Sequence, residues 1–298
     1  MSFPKGRYRI MKIGTYFAYW EREWDVDFFP YVQKVKDLGF DILEISGGGL
    51  AEMPDEKVIA LKEEAKRCGI MLTACIGLPA EYDVSSENEE TRQNGIAYMK
   101  KIMDKMYLAD IHQIGGIIYA YWPVDYSKPV HKEATRVLSI KSVRELADYA
   151  KPLGIKLTLE TVNRFEQYMF NDAAEATQFV KDVDRDNVYV MLDSFHMNIE
   201  EDSFSEAIHT AGKYLGHFHI GEANRKVPGS GRLPWNEMAQ ALKDIGYDGT
   251  IVMEPFVVPG GGVGKDIKIW RDLSGNADDA KLDEDIRKSC AFCKKTFC

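Results

Sequence analysis

One local pattern recurs along the chain: an amphipathic helical run, a glycine at its end, then a short segment of β-branched or aromatic residues. It appears at Leu38-Gly39-Phe40, Cys68-Gly69-Ile70, Ile114-Gly115-Gly116, Leu153-Gly154-Ile155 and Ile245-Gly246-Tyr247. A glycine just past a helix takes the left-handed conformation without a Cβ penalty, and the chain then turns directly into a strand. Reading outward from these joints predicts eight strands, near Lys12–Phe17, Phe40–Ile45, Met71–Ile76, Gly116–Tyr121, Lys156–Glu160, Val188–Asp193, Leu215–Ile220 and Thr250–Glu254. Intervening segments such as Phe28–Leu38, Lys57–Cys68, Asn94–Leu108, Val137–Leu153 and Ala173–Val183 carry apolar residues at three- and four-residue spacing, as helices covering a parallel sheet do. With no linker rich in Pro, Gly or Ser, this alternation predicts an α/β protein closed as a (β/α)8 TIM barrel. A single domain is expected over residues 1–298, with residues 1–10 as an N-terminal extension before the regular pattern begins at Met11.

Composition narrows the function classes. A net charge of −9 gives no footprint for a polyanion, because phosphate backbones are bound through an excess of Lys and Arg; no nucleic-acid partner is expected. No run approaches 18 apolar residues and the basic start lacks an apolar signal region, so neither a membrane span nor export is expected and the chain reads as cytoplasmic. Five cysteines are an odd count in a chain too large to need disulfide staples, which fits a reducing compartment. Cys290-Ala-Phe-Cys293 has redox-motif spacing but lies in the expected last helix without a βαβ context, and reads as packing.

No GxGxxG follows the first strand, which disfavours a dinucleotide cofactor. The one glycine-rich stretch, Pro259-Gly260-Gly261-Gly262-Val263-Gly264, follows strand eight, where many barrels hold a phosphate. Only Lys265 is at hand to supply charge, and the stretch reads as a flexible turn.

Barrel enzymes place catalytic groups at the C-terminal ends of their strands. Strands five, six and eight end on Glu160, Asp193 and Glu254, and strand seven carries His217-Phe218-His219, whose two imidazoles share a face. One charge closing an apolar strand signals only that the strand has reached water. Four on consecutive strands, spaced about 4.8 Å apart, converge on one point in the mouth. Three carboxylates brought together without a cation would repel one another and force at least one pKa up. The set Glu160, Asp193, His219 and Glu254 therefore predicts one divalent metal ion, with Mn²⁺ preferred and Co²⁺, Mg²⁺ or Fe²⁺ suited to the same oxygen-rich donors. His217, one layer deeper, reads as a hydrogen-bonded core histidine.

The segments Glu160-Thr-Val-Asn-Arg-Phe-Glu166, Met191-Leu-Asp193-Ser-Phe-His196, Gly216-His-Phe-His219-Ile-Gly-Glu and Val252-Met-Glu254-Pro-Phe256 resemble those of the ketose 3-epimerases, nearest the D-psicose (D-allulose) and D-tagatose 3-epimerase group. The resemblance runs from Gly14 to Asp272, nearly the whole chain. It implies a xylose isomerase-like barrel, a ketose substrate and Mn²⁺ or Co²⁺ on those four ligands, with Glu160 and Glu254 also handling the substrate proton. It further implies that Glu166, His196 and Arg225 hold the oxygens around C1 to C3, that Tyr16, Trp122 and Phe256 shape the pocket, and that the protein is a homodimer or homotetramer. The extension and the cysteine-bearing tail to Cys298 depart from the group.

Inverting the carbon beside a ketone removes a weakly acidic proton and returns one to the opposite face. Two carboxylates from strands five and eight can flank the substrate for this purpose. Three rivals stay open at this point. They are a sugar or sugar-phosphate isomerase or epimerase on the same barrel, a metal-dependent endonuclease of abasic DNA, and a catalytically dead barrel that only binds sugar.

Overall fold

The computed structural model describes residues 11–298, so the expected extension at 1–10 lies outside the described residues. Eight parallel strands close into a barrel in sequence order: β1 Lys12–Tyr16, β2 Ile42–Ser46, β3 Met71–Cys75, β4 Gln113–Gly116, β5 Lys156–Thr161, β6 Val188–Asp193, β7 Leu215–Ile220 and β8 Thr250–Met253. β8 pairs back onto β1 through Ile13 and Ile251. The principal outer helices are α1 Phe29–Asp37, α2 Asp55–Cys68, α3 Glu89–Leu108, α4 Lys132–Ala150, α5 Ala173–Val183, α6 Phe204–Ala211, α7 Trp235–Asp244 and α8 Asp279–Phe297. Among the described residues no helix is long and apolar enough to cross a membrane.

Four of the five glycine joints have the expected left-handed backbone, with φ of 91° at Gly39, 70° at Gly69, 69° at Gly154 and 67° at Gly246. The fifth is a correction. β4 is Gln113–Gly116 and not Gly116–Tyr121, because the left-handed residue after α3 is Asp110, with φ 58°. Asp tolerates that region better than most side chains. Gly115 and Gly116 lie inside the strand and not at a helix end: a Cβ at Gly115 would lie 2.6 Å from Met191 Sδ, and Gly116 combines a φ of 102° with a Cβ position 2.3 Å from the Ile76 carbonyl oxygen. They let β3, β4 and β6 approach closely instead of ending a helix.

The glycine-rich stretch is also not a flexible turn. Gly261–Asp266 forms a short helix whose start packs on the β1 loop, where a Cβ on Gly261 would meet the Arg22 carbonyl at 2.1 Å. Cys290 and Cys293 lie buried on α8, with Cys293 Sγ 3.9 Å from Met253 Sδ. Burial pushes the Cys290 thiol up to about 12. Both thiols pack the helix against the barrel.

Candidate active site

The C-terminal rim of the barrel opens into a cavity of about 410 Å³. Its polar side is built by β5 to β8. Glu160 stands in the penultimate position of β5, Asp193 closes β6 beside its cross-strand partner His219 on β7, and Glu254 follows the last residue of β8. Glu160 and Glu254 line the cavity, while Asp193 and His219 lie beneath it with no solvent exposure. One ligand atom from each of the four lies within 4.8 Å of every other.

This cluster fits a divalent cation on three counts. The donors are three carboxylates and an imidazole, a hard set without thiolate. His219 Nδ1 is buried without a hydrogen-bond partner, although Glu254 Oε1 stands 3.5 Å away. Burial, and then the neighbouring Glu254 charge, push the Glu160 carboxyl well above the usual carboxylate range, which is the electrostatic conflict a cation removes. Arg225 relieves it only in part. Its Nη1 donates to Asp193 Oδ2 at 3.1 Å and to Glu254 Oε2 at 3.0 Å, one guanidinium among three carboxylates.

Arg225 reaches this position from a left-handed backbone, φ 63°, in the loop after β7. The loop is closed by its amide donating to the Glu222 carbonyl at 2.9 Å and by its own carbonyl accepting from Phe256 N at 2.8 Å. The guanidinium is clamped between the rings of Phe195 and Phe256, 3.8 and 5.4 Å from their centroids. A planar, weakly hydrated cation suits such a slot.

His196 lies one turn beyond Asp193 and is 2% exposed. The Asn163 backbone amide donates to its Nδ1 at 3.1 Å, so the neutral ring carries its proton on Nε2. Nε2 is 3.8 Å from both Glu160 and Asp193 and 3.4 Å from Arg225 Nη2. Two donors thus stand side by side, as a substrate oxygen requires. Burial, with Arg225 beside it, lowers the imidazole to about 3. Glu166 is held from both sides, by Asn163 Nδ2 at 3.0 Å and by Trp122 Nε1 at 3.1 Å. All six residues expected at the substrate, Tyr16, Trp122, Glu166, His196, Arg225 and Phe256, line the one cavity.

Residues 32–280 match the xylose isomerase-like TIM barrel family. Over 282 residues the chain is 51% identical to the D-psicose 3-epimerase of Agrobacterium fabrum, covering 95% of this chain and 98% of that protein. It is 50% identical to the D-psicose 3-epimerase of Ruminiclostridium cellulolyticum over 95% of this chain and 96% of that one. A crystal structure of a D-psicose 3-epimerase in the presence of D-fructose superposes with a TM-score of 0.95 at 50% identity, covering 96% and 99% of the two chains. The chain belongs to the ketose 3-epimerase family. It is therefore an isomerase-class enzyme acting on carbohydrates.

Two residues of this epimerase's site escaped the sequence reading. Asn163 sets the proton position of His196 through a backbone amide, which no side-chain motif could reveal. Glu44, in the middle of β2, is completely buried. Its signal was available: a charge enclosed by Ile42, Leu43 and Ile45 in a strand with every position buried. The expectation for His217 agrees with its contacts, since Nδ1 lies 2.7 Å from Thr250 Oγ1 and Nε2 3.1 Å from Glu44.

Proposed function

We propose that this one-domain barrel is a metal-dependent ketose 3-epimerase that interconverts D-fructose and D-psicose (D-allulose), or D-tagatose and D-sorbose, through a cis-enediolate. The observation that carries the reading is the pair of carboxylates, Glu160 and Glu254, entering one cavity from strands separated by β6 and β7. A divalent ion on Glu160, Asp193, His219 and Glu254, Mn²⁺ first and Co²⁺ or Mg²⁺ next, would act as a Lewis acid that acidifies the C3 proton of the ketose.

The protein's own groups do the rest. One of the two glutamates removes the C3 proton from its face of the sugar, and the other delivers a proton to the opposite face; in the reverse direction they exchange roles. His196 Nε2–H and the Arg225 guanidinium donate to the oxygens that gain charge as the proton leaves. Glu166 accepts from a sugar hydroxyl, steadied by Trp122 and Asn163. Tyr16 and Phe256 exclude water, which strengthens every charged contact inside.

A phosphorylated substrate is disfavoured, because Arg225 is the only Lys or Arg side chain lining the cavity among the described residues and is already engaged by carboxylates. The abasic-site endonuclease is disfavoured as well: the two metal-competent clusters among the described residues share His219, which leaves no room for three ions. Cytoplasmic residence and assembly into homodimers or homotetramers belong to the same proposal. The test is incubation of Mn²⁺-loaded protein with D-fructose and with D-tagatose in deuterated water. C3 epimers carrying deuterium at C3 are expected. Unchanged sugars with no exchange, or turnover of fructose phosphate alone, would overturn the proposal.

A further inference from the structure

Glu44 has no part in the proton transfer, yet it is as fully buried as Asp193. Both of its oxygens are committed. Oε1 stands 2.6 Å from His219 Nε2; Oε2 accepts from Thr73 Oγ1 at 2.8 Å and stands 3.1 Å from His217 Nε2. A carboxylate only accepts, so both imidazoles must direct an Nε2–H at it. His217 Nδ1 is then left to accept from the Thr250 hydroxyl at 2.7 Å, and that hydroxyl accepts from Gln113 Nε2 at 2.9 Å. The donor directions are thereby defined from the floor of the barrel to the metal cluster. At its end His219 Nδ1 is the one ring nitrogen left without a partner.

We propose that Glu44 is a positioning residue for the metal centre: by accepting the Nε2 proton of His219 across the barrel, it orients the ring so that Nδ1 alone is presented to the cation. Carboxylates that hold the far nitrogen of a ligating imidazole raise its basicity and restrict its rotation, and their loss typically weakens metal binding about 10- to 100-fold. The proposal rests on the reading of His219 as a metal ligand.

Calorimetric titration of metal-stripped protein with Mn²⁺ tests it without any activity assay. Glu44→Gln is expected to weaken Mn²⁺ binding by about 10- to 100-fold. Thr73→Val disturbs the same buried group but not Oε1, and is expected to stay within about twofold of wild type, since the bond that carries the effect is kept. Equal weakening in both variants would reduce Glu44 to a packing role and overturn the proposal, as would unchanged affinity in Glu44→Gln. A wild type that binds no cation would defeat the metal reading itself, and this inference with it. If Glu44→Gln does not fold, 15N-histidine spectra of Mg²⁺-loaded wild type decide. His219, assigned by its loss in His219→Gln, should keep its proton on Nε2 and respond to Mg²⁺ at Nδ1; a proton on Nδ1, or a response at Nε2, overturns the proposal.

Discussion

The two halves of the barrel rim are built to different rules. Strands β5 to β8 bring Glu160, Asp193, His219 and Glu254 to the mouth, whereas β1 to β4 face the same cavity with Tyr16, Ser46, Cys75 and Ile117. One half concentrates charge and the other gives shape. The contrast matters energetically, because the uncharged wall keeps the carboxylates out of water. Burial heads the causes that raise Glu160, ahead of its neighbours' charges. Glu44 is the exception in the quiet half, and it acts one layer down, through His219.

If the charged half carries the chemistry, removing the cation should have the largest effect. Exhaustive EDTA treatment is expected to abolish epimerisation and Mn²⁺ or Co²⁺ to restore it, because no protein group can replace the cation among three carboxylates. Thermal stability should rise with added Mn²⁺ by RT ln(1 + [L]/Kd). Full turnover by protein shown to be metal-free would erase the distinction between the halves.

Next come the two bases. Glu160→Gln and Glu254→Gln are each expected to lower kcat by roughly 10²–10⁴-fold, since an amide oxygen can still face the cation but cannot take a proton. Each variant should retain C3 exchange into one epimer only, with metal content checked first. A variant that epimerises at near the normal rate would replace the two-base scheme with a single mobile base.

Arg225 sharpens the comparison, because it bridges Asp193 and Glu254 as well as facing the cavity. Arg225→Ala removes charge-assisted hydrogen bonds worth about 1.5–3 kcal/mol each, and should lower kcat/KM on the order of 10- to 100-fold. Mn²⁺ should bind at least as tightly as before, since a like charge has left the ligands. Glu166→Ala should show a smaller loss at unchanged metal content. Release of Mn²⁺ from either variant would mean that the side chain helps to hold the ion.

These contrasts were legible in the sequence to different depths. Charges at strand ends could be read because a carboxylate closing an apolar run is a local signal, as at Lys156–Glu160 and Val188–Asp193. Two helix ends were legible without a glycine, at Leu108 and Val183, where Asp110 and Asp184 take the left-handed turn with φ of 58° and 53°; the fourth strand was displaced because Gly115-Gly116 reads like the joint that Asp110 makes. The contacts of Glu44 across the barrel were not legible. Glu44 and His219 are 175 residues apart, and their contact exists only once the barrel closes.

The smallest expected effect concerns acid stability and separates His196 from its neighbours. In metal-free protein His196 is lowered to about 3, by burial first and then by Arg225, against about 6.5 in an unfolded chain. Its contribution is therefore present above about pH 6.5 and is lost as pH falls toward 3, because in that window the unfolded state holds a proton that the folded state refuses. The slope approaches about 1.4 kcal/mol per pH unit in mid-window. Glu160 works in the opposite sense: its raised carboxyl keeps a proton in the folded state that the unfolded chain has already released, so acid favours the fold there. For that reason the measurement is a difference. Urea unfolding of wild type and His196→Gln, both metal-free and taken from pH 6.5 down to pH 5, compares two proteins that share Glu160. Wild type is expected to lose stability more steeply on acidification. Parallel curves would show that His196 takes up its proton in the folded site as readily as in the unfolded chain, and the neutral Nε2–H donor assigned to it at the substrate oxygen would have to be given up.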